Sequence, residues 1–157
     1  MNEKRVGRRT IALSHPPSVH SCAAIGGKME SQGPLAAYFD QLGQDSFFGE
    51  KTWEKAESAM QKRALETALQ NGGLKPADLD YVLGGDLLNQ CIGSAFGLRD
   101  FEIPYYGLYG ACSTMGESLS LAALLIDGGY ARRAAAITSS HFCTAERQYR
   151  MPVPCAV

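Results

Sequence analysis

Pro104-Tyr105-Tyr106-Gly107-Leu108-Tyr109-Gly110-Ala111-Cys112-Ser113-Thr114-Met115-Gly116-Glu117 is the stretch whose reading decides the fold. Pro104 to Tyr109 reads as a buried strand. Ser113 to Asp127 reads as a helix, with Leu119, Ala122, Ala123 and Ile126 on one face and Gly128-Gly129 as its stop. The corner between them sets the Cys112 thiol beside the free N–H groups and positive dipole end of a helix. A thiol so placed is the usual setting of a cysteine nucleophile or an anion-binding pocket.

The same alternation extends outward from that corner. Thr52 to Gln70 predicts a helix capped by Thr52, with Trp53, Ala56, Met60, Ala64 and Ala68 on one stripe; Gly72-Gly73 ends it and Pro76 follows. Leu79 to Gly84 predicts a strand running into Gly84-Gly85-Asp86, and Leu88 to Leu98 a second helix. Arg133 to Thr138 predicts a further strand whose carboxyl end is Ser139-Ser140-His141. Nearer the start, Thr10 to Leu13 reads as a first strand closed by His15-Pro16-Pro17. Ser18 to Glu50 reads as a long loop with one short helix near Leu35–Leu42. Strands alternating with helices imply right-handed crossovers and an α/β fold, a mostly parallel sheet flanked by helices. Ligands of such sheets bind beyond the carboxyl ends of the strands. Three of those ends carry polar groups here: Asp86, Cys112 with Ser113, and Ser139 to His141.

Composition narrows the classes. A chain of 157 residues with 45% hydrophobic and 20% charged residues can bury the core of one domain. Its net charge of −1 gives no electrostatic footprint for nucleic acid. The one basic concentration, Lys4-Arg5 with Arg8-Arg9, reads as a solvated arm. No run approaches the roughly 20 apolar residues of a membrane span, and Ile11-Ala12-Leu13 is too short for a leader core, so a cytosolic chain is expected. The five cysteines, Cys22, Cys91, Cys112, Cys143 and Cys155, are odd in number and lack CxxC spacing, which reads as reduced thiols. His141-Phe142-Cys143 has no second ligand pair at zinc spacing, so neither a metal nor a cofactor is expected.

Each site residue carries two readings. Cys112 is a small buried hydrophobe or a pocket residue that a ligand approaches past its small neighbours. Asp86 is a helix cap or turn residue, or a carboxylate facing a ligand. His141 hydrogen-bonds backbone at a strand end, donates to an anion, or serves Cys112 as a base. Ser139 and Ser140 are turn formers or hydroxyl donors. Glu117, one turn beyond Cys112, favours the helix N-terminus but opposes thiolate chemistry. Gly110 to Thr114 does not form the G-x-S-x-G elbow, and neither Gly26-Gly27 nor Gly84-Gly85 stands in a phosphate loop.

Taken together, Gly84 to Gln90, Gly110 to Thr114, Leu125 to Gly129, Thr138 to His141 and Ala145 to Arg150 resemble the stage V sporulation protein AD family, within the thiolase-like superfamily. The resemblance runs from about Thr10 to Arg150 and implies the first half of a thiolase-like fold: a half-domain over 1–150 and a divergent tail over 151–157. It implies a sporulation protein that binds dipicolinic acid, alone or as its calcium chelate, and works in its uptake into the developing spore. The implied partners are other proteins of the SpoVA group. The implied location is the cytoplasm of the producing cell, then the periphery of the spore inner membrane through those partners. On the matching positions it assigns the ligand to Asp86, Cys112, Ser140 and His141. The competing expectation is a fragment of a ketoacyl synthase III-like acyltransferase with Cys112 as its catalytic nucleophile. The superfamily's His and Asn, or His and His, come from its second half. That half is expected to cover the small-residue helix after Cys112. Its absence makes a truncated or frame-shifted chain the expectation for the Pro152-Val153-Pro154 ending, along with self-association through the uncovered face.

Overall fold

The computed structural model describes residues 4–150. Its elements in order are β1 (Arg5–Val6), β2 (Thr10–Ile11), β3 (Ile25–Gly26), β4 (Gln41–Leu42), α1 (Trp53–Asn71), β5 (Tyr81–Gly85), α2 (Ile92–Leu98), β6 (Tyr105–Gly107), α3 (Thr114–Asp127), β7 (Ala134–Thr138) and α4 (Phe142–Arg150). The main sheet is parallel, in the order β6-β5-β7. Leu83 stands opposite Tyr106 on one side and Ala136 on the other. β5 is central, and its residues 82–85 are all buried. A Cβ on Gly84 would strike the carbonyl oxygen of Ile137, and one on Gly85 that of Leu108. The two glycines let both neighbouring chains close onto β5.

The sheet is covered on both faces. Leu65 and Leu69 of α1 pack with Val82, Leu98 and Ile137 on one face. On the other, Ala122 of α3 packs with Leu83 and Leu108, flanked by Leu121 and Leu125. Thr52 caps α1, its hydroxyl accepting from the Lys55 N–H at 3.3 Å. α2 lies close against α1 because Gly97 has no Cβ to meet the Ser58 carbonyl, and the Ser58 hydroxyl donates to the Gly93 carbonyl at 2.9 Å.

The expected α/β order stands, with several corrections. β2 does not join the sheet; it forms an antiparallel hairpin with β1 that turns at Gly7, whose φ is +64°. The short helix expected near Leu35–Leu42 is a single 3₁₀ turn, Ala36–Tyr38, followed by β4, which pairs with β3 in parallel. The helix expected from Leu88 starts at Ile92, after a 3₁₀ turn whose Gln90 and Cys91 hold φ of 56° and 51°. The buried stripe of α1 is Ala56, Glu57, Gln61, Leu65 and Leu69, one position on from the stripe expected, because the two leucines outweigh Ala64 and Ala68. On α3 the buried residues are Thr114, Ser118, Ala122 and Asp127, while Leu119 is 49% exposed. α4 has no counterpart in the sequence reading. The expected tail at 151–157 lies outside the described residues. None of the described helices is long and apolar enough to cross a membrane.

Candidate functional site

Parallel topology brings Asp86, Cys112 and Ser139 to His141 to the same carboxyl edge, since each follows the end of β5, β6 or β7. The side chains then diverge. Asp86 is 5% exposed and turned inward. Its Oδ1 accepts from the Leu88 N–H at 2.7 Å; its Oδ2 accepts from the Ser94 N–H at 2.7 Å and the Ser94 hydroxyl at 2.5 Å. It ties the turn after β5 to the first turn of α2, the cap-and-turn reading. Gly93 passes close enough that a Cβ there would sit 3.2 Å from Oδ2.

Cys112 is exposed, in a 3₁₀ turn (Ala111–Ser113) that leads into α3. Ala111 enters that turn at φ 47°, a left-handed conformation for a residue with a Cβ. The Ser113 hydroxyl donates back to the Gly110 carbonyl at 2.8 Å, and a Cβ on Gly110 would meet the Glu117 carboxylate, which therefore lies beside the turn. His141 faces elsewhere. Its Nε2 lies 2.8 Å from the Ser46 carbonyl oxygen and its Nδ1 is buried without a partner. Ser140 is exposed. No hydrogen bond joins His141 to Cys112 among the described residues.

The groups that sequence reading missed lie beneath this edge. Glu57 is 1% exposed and accepts from the Ser139 and Thr144 hydroxyls, each at 2.7 Å. Gln61 Nε2 donates to the Ser94 hydroxyl oxygen at 2.8 Å and to the Ser139 hydroxyl oxygen at 2.9 Å. One amide thus donates to two hydroxyls, with the Gly85 carbonyl a third and longer acceptor at 3.3 Å, and each hydroxyl donates to a buried carboxylate, Asp86 on one side and Glu57 on the other. Burial pushes the Glu57 carboxyl above its ordinary range, and the Asp86 charge pushes the same way against the two hydroxyls. The available signal was the i, i+4 series Glu57, Gln61, Leu65, Leu69, which puts two polar residues on the same stripe as two leucines. Cys91, the other thiol at this edge, is buried; its Sγ donates to the Leu108 carbonyl at 3.2 Å, and burial raises its pKa. Burial likewise takes the Tyr105 phenol, which donates to the Gly84 carbonyl, up to about 12.

Two cavities flank the Leu88 to Gln90 segment. The smaller, about 220 Å³, opens between the ends of β5 and β6 and is lined by Asp86, Cys91, Tyr109, Ala111 and Tyr149 among others. The larger, about 640 Å³, lies between α2 and α4, with Ile92, Ala95 and Phe96 facing Thr144 and Arg147. Arg147 is already engaged: it lies 4.6 Å over the Trp53 ring and 2.8 Å from Glu54 Oε1. The smaller cavity is therefore the better candidate. It is next to the Cys112 turn and holds three non-glycine residues with positive φ, Gln90, Cys91 and Ala111. Of the residues expected at the site, Asp86 alone lines it. Four cysteines are free thiols among the described residues, and no group of three or more His, Cys, Asp or Glu there could hold a metal ion.

Comparison with known proteins places the sequence in a family. The family model described as stage V sporulation protein AD matches residues 7–157. The stage V sporulation protein AD of Bacillus subtilis is 42% identical over 149 residues, 95% of this chain; the chain spans 44% of that relative's length. Among solved structures, the 3-oxoacyl-[acyl-carrier-protein] synthase III of Aquifex aeolicus is similar over 55% of this chain and 30% of its own, at 21% identity and a TM-score of 0.48. The priming β-ketosynthase of the R1128 polyketide pathway is similar over 54% and 27%, at 22% identity and the same TM-score of 0.48.

Proposed function

We propose a non-enzymatic ligand-binding role, from the premise that the chain belongs to the stage V sporulation protein AD family. The ligand is dipicolinate, taken with or without calcium, and the role is its uptake into the developing spore. SpoVA-group proteins are the working partners, and they hold the chain at the periphery of the spore inner membrane. The observation that supports the reading most is the cavity of about 220 Å³ between Asp86 and Ala111, beside the turn that opens α3. A planar dianion suits a site beside the positive end of a helix with the Tyr109 ring on its wall. Asp86 would repel it if bare. Here three donors already occupy that carboxylate, so its role is to hold the Leu88 and Ser94 N–H groups in place, with calcium as the alternative mediator.

Calorimetry with dipicolinate, with and without calcium, tests this directly. Heat of binding that weakens in Cys112→Ala and Tyr109→Ala is expected. A folded sample that gives no heat under either condition would remove the reading for this chain.

Acyl transfer through Cys112 is the second reading, favoured by one observation: the thiol is exposed on the turn leading into α3. Against it, His141 is committed to the Ser46 carbonyl and Glu117 lies beside the turn. Alkylation by iodoacetamide separates the two. A rate as fast in mild acid as in mild base belongs to a nucleophile, and a rate that climbs with pH like an ordinary thiol belongs to a binding site.

A further inference from the structure

The short basic arm at the start of the chain is not alone in the folded molecule. The β1–β2 hairpin is tied to the end of α3 by Asp127, whose Oδ2 pairs with Lys4 Nζ at 2.5 Å and whose Oδ1 accepts from the His15 N–H at 2.6 Å. α3 then turns through Gly128-Gly129-Tyr130 into Arg132 and Arg133 at the head of β7. The fold thus gathers Arg5, Arg8 and Arg9 of the hairpin and Arg132 and Arg133 at one end of the molecule, all exposed. Among the described residues none of these five arginines forms a side-chain ion pair. Asp127 is paired with Lys4 and accepts from the His15 N–H, and Asp80, the acid beside Arg132 and Arg133, accepts from their backbone N–H groups at 2.7 and 3.1 Å and offsets one of the five charges.

We propose that this end is a docking surface for an anionic lipid bilayer. Charge complementarity selects the sign of the partner. The side chains set among the arginines select its kind: Val6 is 56%, Ile11 55% and Tyr130 74% exposed. Aliphatic side chains gain nothing from a nucleic-acid backbone, but they partition into the headgroup boundary, where Tyr also concentrates and arginines sit at the phosphates. The chain as a whole is −1. Screening over a length of about 10 Å means that only the near end feels the surface, so the basic end binds and orients the molecule. This end lies at the amino side of the sheet, so the carboxyl-edge cavity stays open away from the bilayer. The surface rests on its own observations and stands or falls apart from the ligand reading.

Co-sedimentation with vesicles of phosphatidylglycerol mixed equally with phosphatidylcholine is the test, with phosphatidylcholine vesicles as the control. The chain is expected to pellet with the anionic vesicles alone and to be released at high salt. The triple variant Arg5→Ala/Arg8→Ala/Arg9→Ala should lose about a hundredfold in partitioning, at about fivefold per arginine. The exposed sites leave its thermal melt unchanged. Arg132→Glu/Arg133→Glu, on a different element, should lose binding as well, and Val6→Ser/Ile11→Ser should weaken it at constant charge. Equal pelleting with neutral vesicles, no pelleting at all, or a triple variant that binds like the parent would overturn the proposal. So would retention by a single-stranded oligonucleotide without any by vesicles.

Discussion

The two faces of the β6-β5-β7 sheet are built on different terms. Over Val82 and Ile137, α1 is backed by α2 and α4, and the layered cover lets the chain hold two carboxylates, an amide and three hydroxyls in one connected chain of hydrogen bonds. Over Leu83 the described residues place α3 as the one covering helix. It approaches through Ser118 and Ala122 and turns Met115, Leu119 and Leu124 outward, 41%, 49% and 36% exposed. The residues expected at a site divide along the same line. Asp86 belongs to the layered face, fixed by Ser94 and through it by Gln61, whereas Cys112 stands at the open end of α3. Polar groups can be held in a fixed arrangement only where enough protein surrounds them to satisfy every donor.

The largest expected effect tests whether both faces are equally well packed. Leu65→Ala should cost about 4 kcal/mol and Leu83→Ala about 3 kcal/mol, read by urea denaturation. Both leucines are nearly sealed, at 3% and 2% exposure. The difference lies in how far each hole can collapse: α3 can slide onto the sheet and shrink its cavity, whereas α1 is held by its neighbours. A larger loss at Leu83 would break the comparison.

A pair of polar substitutions sharpens it. Gln61→Leu should cost about 2 kcal/mol, because the Ser94 and Ser139 oxygens lose their donor in a dry place. Thr114→Val, at the start of α3, should be neutral or stabilise by about 1 kcal/mol, since the buried Thr114 hydroxyl has no partner to lose. Equal costs at the two positions would mean that the hydrogen-bond chain under the layered face contributes nothing particular.

Glu57 adds a pH signature to the same face. Its folded pKa is raised, so between the ordinary carboxylate range and the raised value the native state holds a proton that the unfolded chain has released. Stability from this group is therefore full only below the ordinary carboxylate range and is lost as pH rises through the folded pKa. Glu57→Gln should flatten that decline in the urea midpoint. Asp127 works in the opposite sense. Lys4 foremost, then the His15 N–H, holds its carboxyl below the usual range, so its contribution is present at neutral pH and lost as pH falls through the folded pKa.

Much of the fold is legible in the sequence, for reasons that can be named. Thr52 as a cap, Gly72-Gly73 as a stop and the strand ending at Thr138 come from local chemistry that tertiary packing does not override; the strands read to Gly84 and Tyr109 end at Gly85 and Gly107. Two strongly helical segments nevertheless turn a different face inward from the one periodicity suggests. In α1 a stripe of alanines competes with Leu65 and Leu69, and the leucines win; in α3 apolar residues occur all round, so periodicity alone cannot choose a side. The direction of His141 is not legible at all. Its partner is a backbone carbonyl at Ser46, 95 residues away, within a stretch that reads as loop. Glu57 and Gln61 escape notice because charged and amide side chains count as surface until their partners, Ser139 and Thr144, are brought to them by β7 and α4.

The smallest expected effect bears hardest on the open face. Leu119 already keeps half its surface in water, so Leu119→Gln should move stability by less than about 0.5 kcal/mol in a monomer, while Leu121→Gln, facing the cluster around Leu83, should cost several times more. The reasoning is differential: only area that folding removes from water can be lost by substitution. If Leu119→Gln instead costs as much as Leu121→Gln, something covers the outer side of α3 in solution. Sedimentation of the parent chain at rising concentration would then show the mass increase that the variant lacks. A small Leu119 effect together with a constant mass would leave the open face in water, and the contrast between the two sides of the sheet intact.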